Sequence, residues 1–284
     1  MDVESIAPLE HVAYLYDGTP EGLMCAIFDS FKRGETPEDI TTEQRYQPRF
    51  LQSQHRVVTS FEIASRVRAG IVREGGDHVF NAILRSAATE EPDAEVSILR
   101  FVRYLMDNAS GRNKRINVLD DLSNPVVERI AQLNRRALNE AEKTRQFVRF
   151  NRLENGVFFA RCNPNVSVLP FVMDHFAERF NIQPFIIYDE NHAIAGVYDG
   201  TSWSLIRDTV PEVSLDECDD SFYEALWAAF FHATTIDSRF NPELQRHFMP
   251  VRLRKHLPEL KPDPSFPNTP ASRLKSSSCN MKAK

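Results

Sequence analysis

Cysteine is scarce and scattered in this chain: Cys25, Cys162, Cys218 and Cys279. Spacing that wide implies no disulfide framework or zinc knuckle, and it excludes a local three-thiolate iron–sulfur motif, which needs closely spaced cysteines. No apolar run approaches the roughly 20 residues of a membrane span. The acidic start MDVESIAPLE carries no signal-peptide pattern, so a reduced, cytoplasmic setting is expected. Glycine is sparse, at 10 residues, and no Gly-rich phosphate loop occurs. HExxH, GxSxG and the HxE with PCxxC of zinc deaminases are also missing. No cofactor or metal is implied.

What is present is a globular composition, 42% apolar and 26% charged over 284 residues, enough for one large or two modest domains. The net charge of −6 hides an asymmetry. Residues 1–50 hold 10 acids against 4 bases, and residues 99–152 hold 6 acids against 12 bases. Such separation of sign points to a polyanion partner, or to an ordinary solvated surface.

Residues 11–16 read as a strand that turns at Asp17-Gly18. Thr19-Pro20 then caps and opens a helix with Leu23, Ile27 and Phe31 on its apolar stripe. Residues 35–48 read as a polar loop and 56–59 as a short strand. Thr59 to Glu62 has the form of a capping box. Three helices come next, and Asn124-Pro125 opens the longest, ending near Phe147. Asn155-Gly156 is a hairpin signal between two strands. Leu169 to Phe180 has clear amphipathic helical spacing. Three short strands with tight turns after it argue an antiparallel meander. The expected fold is α+β: a helical N-terminal region (1–90) with a strand–helix start, a C-terminal domain (91–260) with an antiparallel sheet flanked by helices, and a disordered tail (261–284).

The stretch from Tyr223 to Leu260 organises the rest. Residues 223–231 are apolar nearly all round at helical spacing, which predicts a buried helix. Asn241-Pro242 opens another helix, and Pro250 and Pro258 cut the chain beyond it into short pieces. Between residues 239 and 256 stand Arg239, Arg246, His247, Arg252, Arg254, Lys255 and His256, with Glu243 the one acid. A rigid basic segment of this kind suits holding cations against an anion. Arg129, Arg136 and Lys143 recur every seven residues, so they share one helix stripe about 10 Å apart. That row suits a phosphate backbone, or water and nearby acids such as Glu128 and Glu140.

Several motifs resemble a bacterial family assigned to DNA metabolism or DNA repair without a known mechanism. They are Tyr14 to Thr19; Val168-Leu169-Pro170; His175-Phe176; Arg179-Phe180; Ile187-Tyr188-Asp189; Tyr198-Asp199-Gly200; Leu226-Trp227; and Arg239 to Pro250, with Leu257-Pro258-Glu259 after it. Two departures stand out. Leu253-Arg254 replaces an aromatic pair, and Val166-Ser167 replaces a His-Asn pair. The resemblance implies a companion radical-SAM protein, and a domain that also occurs fused behind uracil-DNA-glycosylase-type proteins.

On this reading Arg239, Asn241, Gln245, Arg246, Arg129, Arg136, Lys143 and Arg179 are the expected nucleic-acid contacts. Arg offers bidentate donors to phosphate or guanine, and Gln addresses adenine. His175 and His247 are candidate catalytic groups, each equally at home as a core-edge histidine. Trp203 and Trp227 suit stacking on bases or packing in the core. Three functions remain open: a DNA-binding accessory protein, a base- or nucleotide-processing enzyme, and an adaptor that docks its partner without touching DNA.

Overall fold

The computed structural model describes residues 10–108, 118–208, 226–227, 229–230, 233–234, 241, 243–244 and 248–260. The chain divides into two compact units, Met1–Asn139 and Glu140–Lys284. No helix among the described residues is long and apolar enough to cross a membrane.

In the first unit β1 (Glu10–Tyr16) is central to a three-stranded sheet, flanked by β2 (Pro37–Thr42) and β3 (Ser53–Arg56), both parallel to it. The crossover from β1 to β2 is α1 (Pro20–Arg33). Thr19 caps α1 as its sequence predicts, accepting from Gly22 N at 3.0 Å, with Pro20 in the first turn. The helices α2 (Phe61–Gly75), α3 (Asp77–Ala87) and α4 (Ala94–Asn108) come after β3. Tyr14, Leu23, Ile27, Ile71, Ile83, Phe101, Val127 and Ile130 are among the residues of one buried core.

Two local expectations fail here. The predicted loop 35–48 contains β2, because pairing with β1 buries Ile40 and Thr41 in a stretch whose own apolar signal is weak. The predicted capping box does not form. Ser60 precedes α2 without a side-chain bond, and Thr59 instead donates its hydroxyl to Asp17 Oδ2 at 2.8 Å.

The unit boundary falls inside α5 (Pro125–Phe147), which starts where Asn124-Pro125 places it. In the second unit five strands lie in the order β4 (Phe150–Arg152), β5 (Phe158–Cys162), β6 (Phe185–Asp189), β7 (Ile194–Tyr198) and β8 (Trp203–Arg207). The α+β class holds, but the sheet is mixed. β5 and β6 run parallel because α6 (Leu169–Phe180) carries the chain back between them; the other pairs are antiparallel.

α6 packs on one face of this sheet. Gly196 lets it approach, since a Cβ there would collide with the Met173 thioether. Phe150, Phe158, Phe176, Phe180, Phe185 and Tyr198 fill the interface, with ring centroids such as Phe150–Phe180 at 4.5 Å and Phe185–Tyr198 at 5.1 Å.

The predicted buried helix at 223–231 is helical at residues 226–227 and 229–230, yet Leu226, Trp227 and Phe230 stand 42–57% exposed. Apolarity all round a helix shows that it avoids water, not which surface covers it. Trp227 and Phe230 shield each other, with centroids 5.8 Å apart.

Candidate nucleic-acid interface

The basic, Pro-punctuated segment folds as short pieces. Pro250 precedes a single helical turn, α7 (Val251–Arg254), and Pro258 opens a 3-10 turn (Pro258–Leu260). Leu253 and Leu257 are buried and anchor this strap, residues 250–260. Its charged side chains meet carboxylates drawn from elsewhere in the second unit. Arg252 Nη2 lies 2.5 Å from Glu140 Oε1, and its Nη1 donates to the Asn163 carbonyl at 3.2 Å. Lys255 Nζ and His256 Nε2 approach the same Glu190 oxygen at 2.8 and 3.3 Å. Arg149 donates to Glu259 Oε1 at 2.8 Å.

These contacts set the protonation of the site. Burial acts to raise the Glu190 carboxyl, but the Lys255 hydrogen bond and the neighbouring His256 hold it below the ordinary range. Burial lowers His256, and the pull of Glu190 offsets this only in part. Both partners therefore shift downward, because desolvation of the imidazole outweighs its ion pair.

The strap covers a recess at the carboxyl ends of the parallel strands. Thr144, Val148, Arg161, Cys162, Asn163, Leu253 and His256 line it. In α/β sheets, loops after parallel strands are where ligands gather. Here those loops are tied together: Asn191 Nδ2 donates to Pro164 O at 2.8 Å, and Asn165 N to Glu140 Oε1 at 2.7 Å. Burial, and after it the charges of Asp189, Glu190 and Glu140, pushes the Cys162 thiol well above its ordinary value. Asn163 Oδ1 is buried and accepts no hydrogen bond among the described residues. Beside it, the fully buried Asp189 accepts from Asn191 N at 3.0 Å and contacts His192 Nδ1 at 2.6 Å through its other oxygen.

The residues singled out in the sequence differ in their surroundings. Arg129 forks onto Asp93, at 2.9 and 2.6 Å, and onto Glu91 at 2.5 Å. Its hydrogen bonds hold the Asp93 carboxyl below the ordinary range. Arg136 also pairs with Glu91. Their charges are thus met within the first unit. Lys143, half-buried on α5, and His175 and Arg179, exposed on α6, form no ion pair among the described residues.

Asn241 does the capping work its sequence suggests: Oδ1 accepts from Glu243 N and Leu244 N at 3.1 and 3.0 Å. Arg239, Gln245, Arg246 and His247 lie outside the described residues. Leu244 and Phe248 are 54% and 66% exposed. Trp203 is half-exposed and donates its indole N–H to Asp174 at 2.6 Å, so it does not belong to the closed core.

Sequence reasoning named Glu140 only as an acid beside the α5 row, not as the partner of Arg252, and it missed Glu190 and His192. The signal for His192 was in view: Asp189-Glu190-Asn191-His192 closes a hairpin, and a turn aspartate can reach a side chain three residues on. Nothing local marks Glu140 or Glu190, because their partners lie far along the chain.

The tie of the α1 terminus is equally self-contained. Asp17 sits where an external anion would, accepting from Thr19 N, Thr19 Oγ1 and Thr59 Oγ1 at 2.9, 2.6 and 2.8 Å. Burial opposes its ionisation, and these hydrogen bonds prevail, so its carboxyl lies below the ordinary range.

A family model for a domain of unknown function (DUF4130) matches residues 92–259, more than half of the chain. No curated protein and no solved structure matches it.

Proposed function

The chain belongs to the DUF4130 family, and on that premise we propose that it binds nucleic acid in DNA metabolism, with repair as the setting. It acts in the cytoplasm as the accessory of a radical-SAM partner, an association that rests on the motif resemblance. The observation that carries the binding reading is the strap. Arg252 and Lys255 already hold their donors at 2.5 and 2.8 Å from anionic oxygens, the distances a phosphate oxygen requires, and His256 Nε2 stands beside them, 3.3 Å from the Glu190 carboxylate but without a hydrogen bond to it. Arg179 and His175 add exposed basic groups on α6.

Fluorescence anisotropy with labelled single- and double-stranded oligonucleotides tests this. Affinity should fall as salt rises, since bound cations displace condensed counterions. Absent or salt-insensitive binding would leave the adaptor function, which co-purification with the radical-SAM protein in the absence of nucleic acid would support.

The Asp189–His192 contact favours a second reading, a base- or nucleotide-processing enzyme. A buried carboxylate that orients an imidazole is the usual support of a proton-transferring histidine. His175, exposed on α6, has no such support in view. Oligonucleotides carrying damaged bases, incubated with the protein and with Asp189→Asn, decide between the readings. Product formed by the parent and not by the variant supports the enzyme, and no product from either removes it.

A further inference from the structure

We propose that residues 250–260 form a charge-latched strap over the Cys162 recess, and that a phosphate backbone opens it by competing with Glu140 and Glu190 for Arg252 and Lys255. This rests on the nucleic-acid reading and assigns the contact to one surface and one class of partner.

The attachment of the strap carries the argument. Its backbone hydrogen bonds are local, from Leu253 N to Pro250 O, Leu257 N to Arg254 O and Leu260 N to Leu257 O. Arg254 Nε likewise turns back to Met249 O. Among the described residues, the side chains that join it to the sheet and α5 include two buried leucines, the Arg252 bonds to Glu140 and Asn163, and the Glu190 pairs. Arg149 holds its far end through Glu259.

A single helical turn without ladder bonds among the described residues can leave as a unit, and its two cations, Arg252 and Lys255, are satisfied equally by a carboxylate or a phosphate oxygen, with the neutral His256 imidazole moving beside them. Lys255 is the entry point, with 62% of its side chain exposed, while Arg252 and His256 are at 21% and 17%. An incoming strand therefore meets Lys255 first and exchanges the inner pairs afterwards. Opening uncovers Cys162, which is 7% exposed and whose raised thiol pKa keeps it unreactive while covered.

The test is alkylation of the full chain by iodoacetamide, read peptide by peptide, with and without a fluorescein-labelled oligothymidylate whose binding is monitored by anisotropy. Cys25, buried in the first unit, is the internal reference for unfolding of that unit, and unchanged tryptophan emission, which comes from Trp203 and Trp227, is the reference for the second. Saturating oligonucleotide at low salt should raise the Cys162 rate about tenfold, the size of a modest shift in a closed–open equilibrium, while Cys25 stays unchanged. Glu190→Gln should raise the basal Cys162 rate and tighten oligonucleotide binding severalfold. Lys255→Gln should raise the basal rate and weaken binding, and it serves if the first variant fails to fold.

Binding with an unchanged Cys162 rate overturns the strap and spares the nucleic-acid reading. No binding at all overturns that reading, and the strap with it. A Cys162 rate that rises only together with Cys25 reports unfolding and counts against the latch.

Discussion

Two segments of the second unit carry an arginine and a histidine four residues apart. In α6 they are His175 and Arg179; in the strap they are Arg252 and His256. The pair is the same in reversed order, and the outcomes are opposite. Both α6 groups are exposed with no ion pair among the described residues, whereas both strap groups are half-buried against Glu140 and Glu190. The difference comes from acids placed by α5 and by the β6–β7 turn, not from the basic residues. A cation's availability to a ligand is thus decided by distant parts of the chain.

Substitutions should separate the two segments cleanly. The largest effect is expected from Arg252→Ala, which removes the one countercharge seen on Glu140 among the described residues and leaves that carboxylate, 7% exposed, with only the Asn165 N–H. Removing one member of a buried pair costs about 3–5 kcal/mol, which urea denaturation would register as a lower midpoint. A loss under about 1 kcal/mol would mean that the strap contributes little to the fold.

Next comes acid. Because His256 titrates below its ordinary value of 6.5 in the folded chain, protons bind the unfolded chain preferentially as pH drops through that value. Stability should therefore decline on acidification below about 6.5. Glu190 is also depressed; its contribution persists above its ordinary 4.5 and disappears as pH falls further. Thermal melts across this range check the order of the two losses, and His256→Asn should remove the first.

Arg179→Glu should leave stability within about 0.5 kcal/mol of the parent, as an exposed substitution does. It should weaken oligonucleotide binding severalfold. If it does not, α6 plays no part and the strap alone carries the contact. The smallest effect belongs to Arg136→Ala. Its ion pair has 57% of the arginine side chain in solvent, so stability should change by no more than about 0.5 kcal/mol. A clear affinity loss there would return the α5 row to the binding surface.

Local chemistry was readable in advance wherever a residue settles its own neighbourhood. Thr19-Pro20, Asn124-Pro125 and Asn241 begin helices through caps that need only adjacent backbone. Asn155-Gly156 turns because Gly156 takes a φ of +85°. Non-local pairing was not readable. β2 exists because β1 offers it a partner, and the parallel β5–β6 register depends on α6 returning the chain to the same end of the sheet. The candidate site divides in the same way. Its basic half was visible as a run in the sequence, while its acidic half, Glu140 and Glu190, looked like ordinary surface.

The boundary inside α5 has a practical consequence for dissecting the gene. The family match begins at residue 92, yet the first unit's core takes Ile98, Leu99, Phe101, Val102 and Leu105 from α4, and Val127, Ile130 and Leu133 from α5. A fragment cut at the edge of the match would present those side chains to water as a sticky flank, and clumping in expression trials would then reflect where the scissors fell rather than any property of the family's own chemistry.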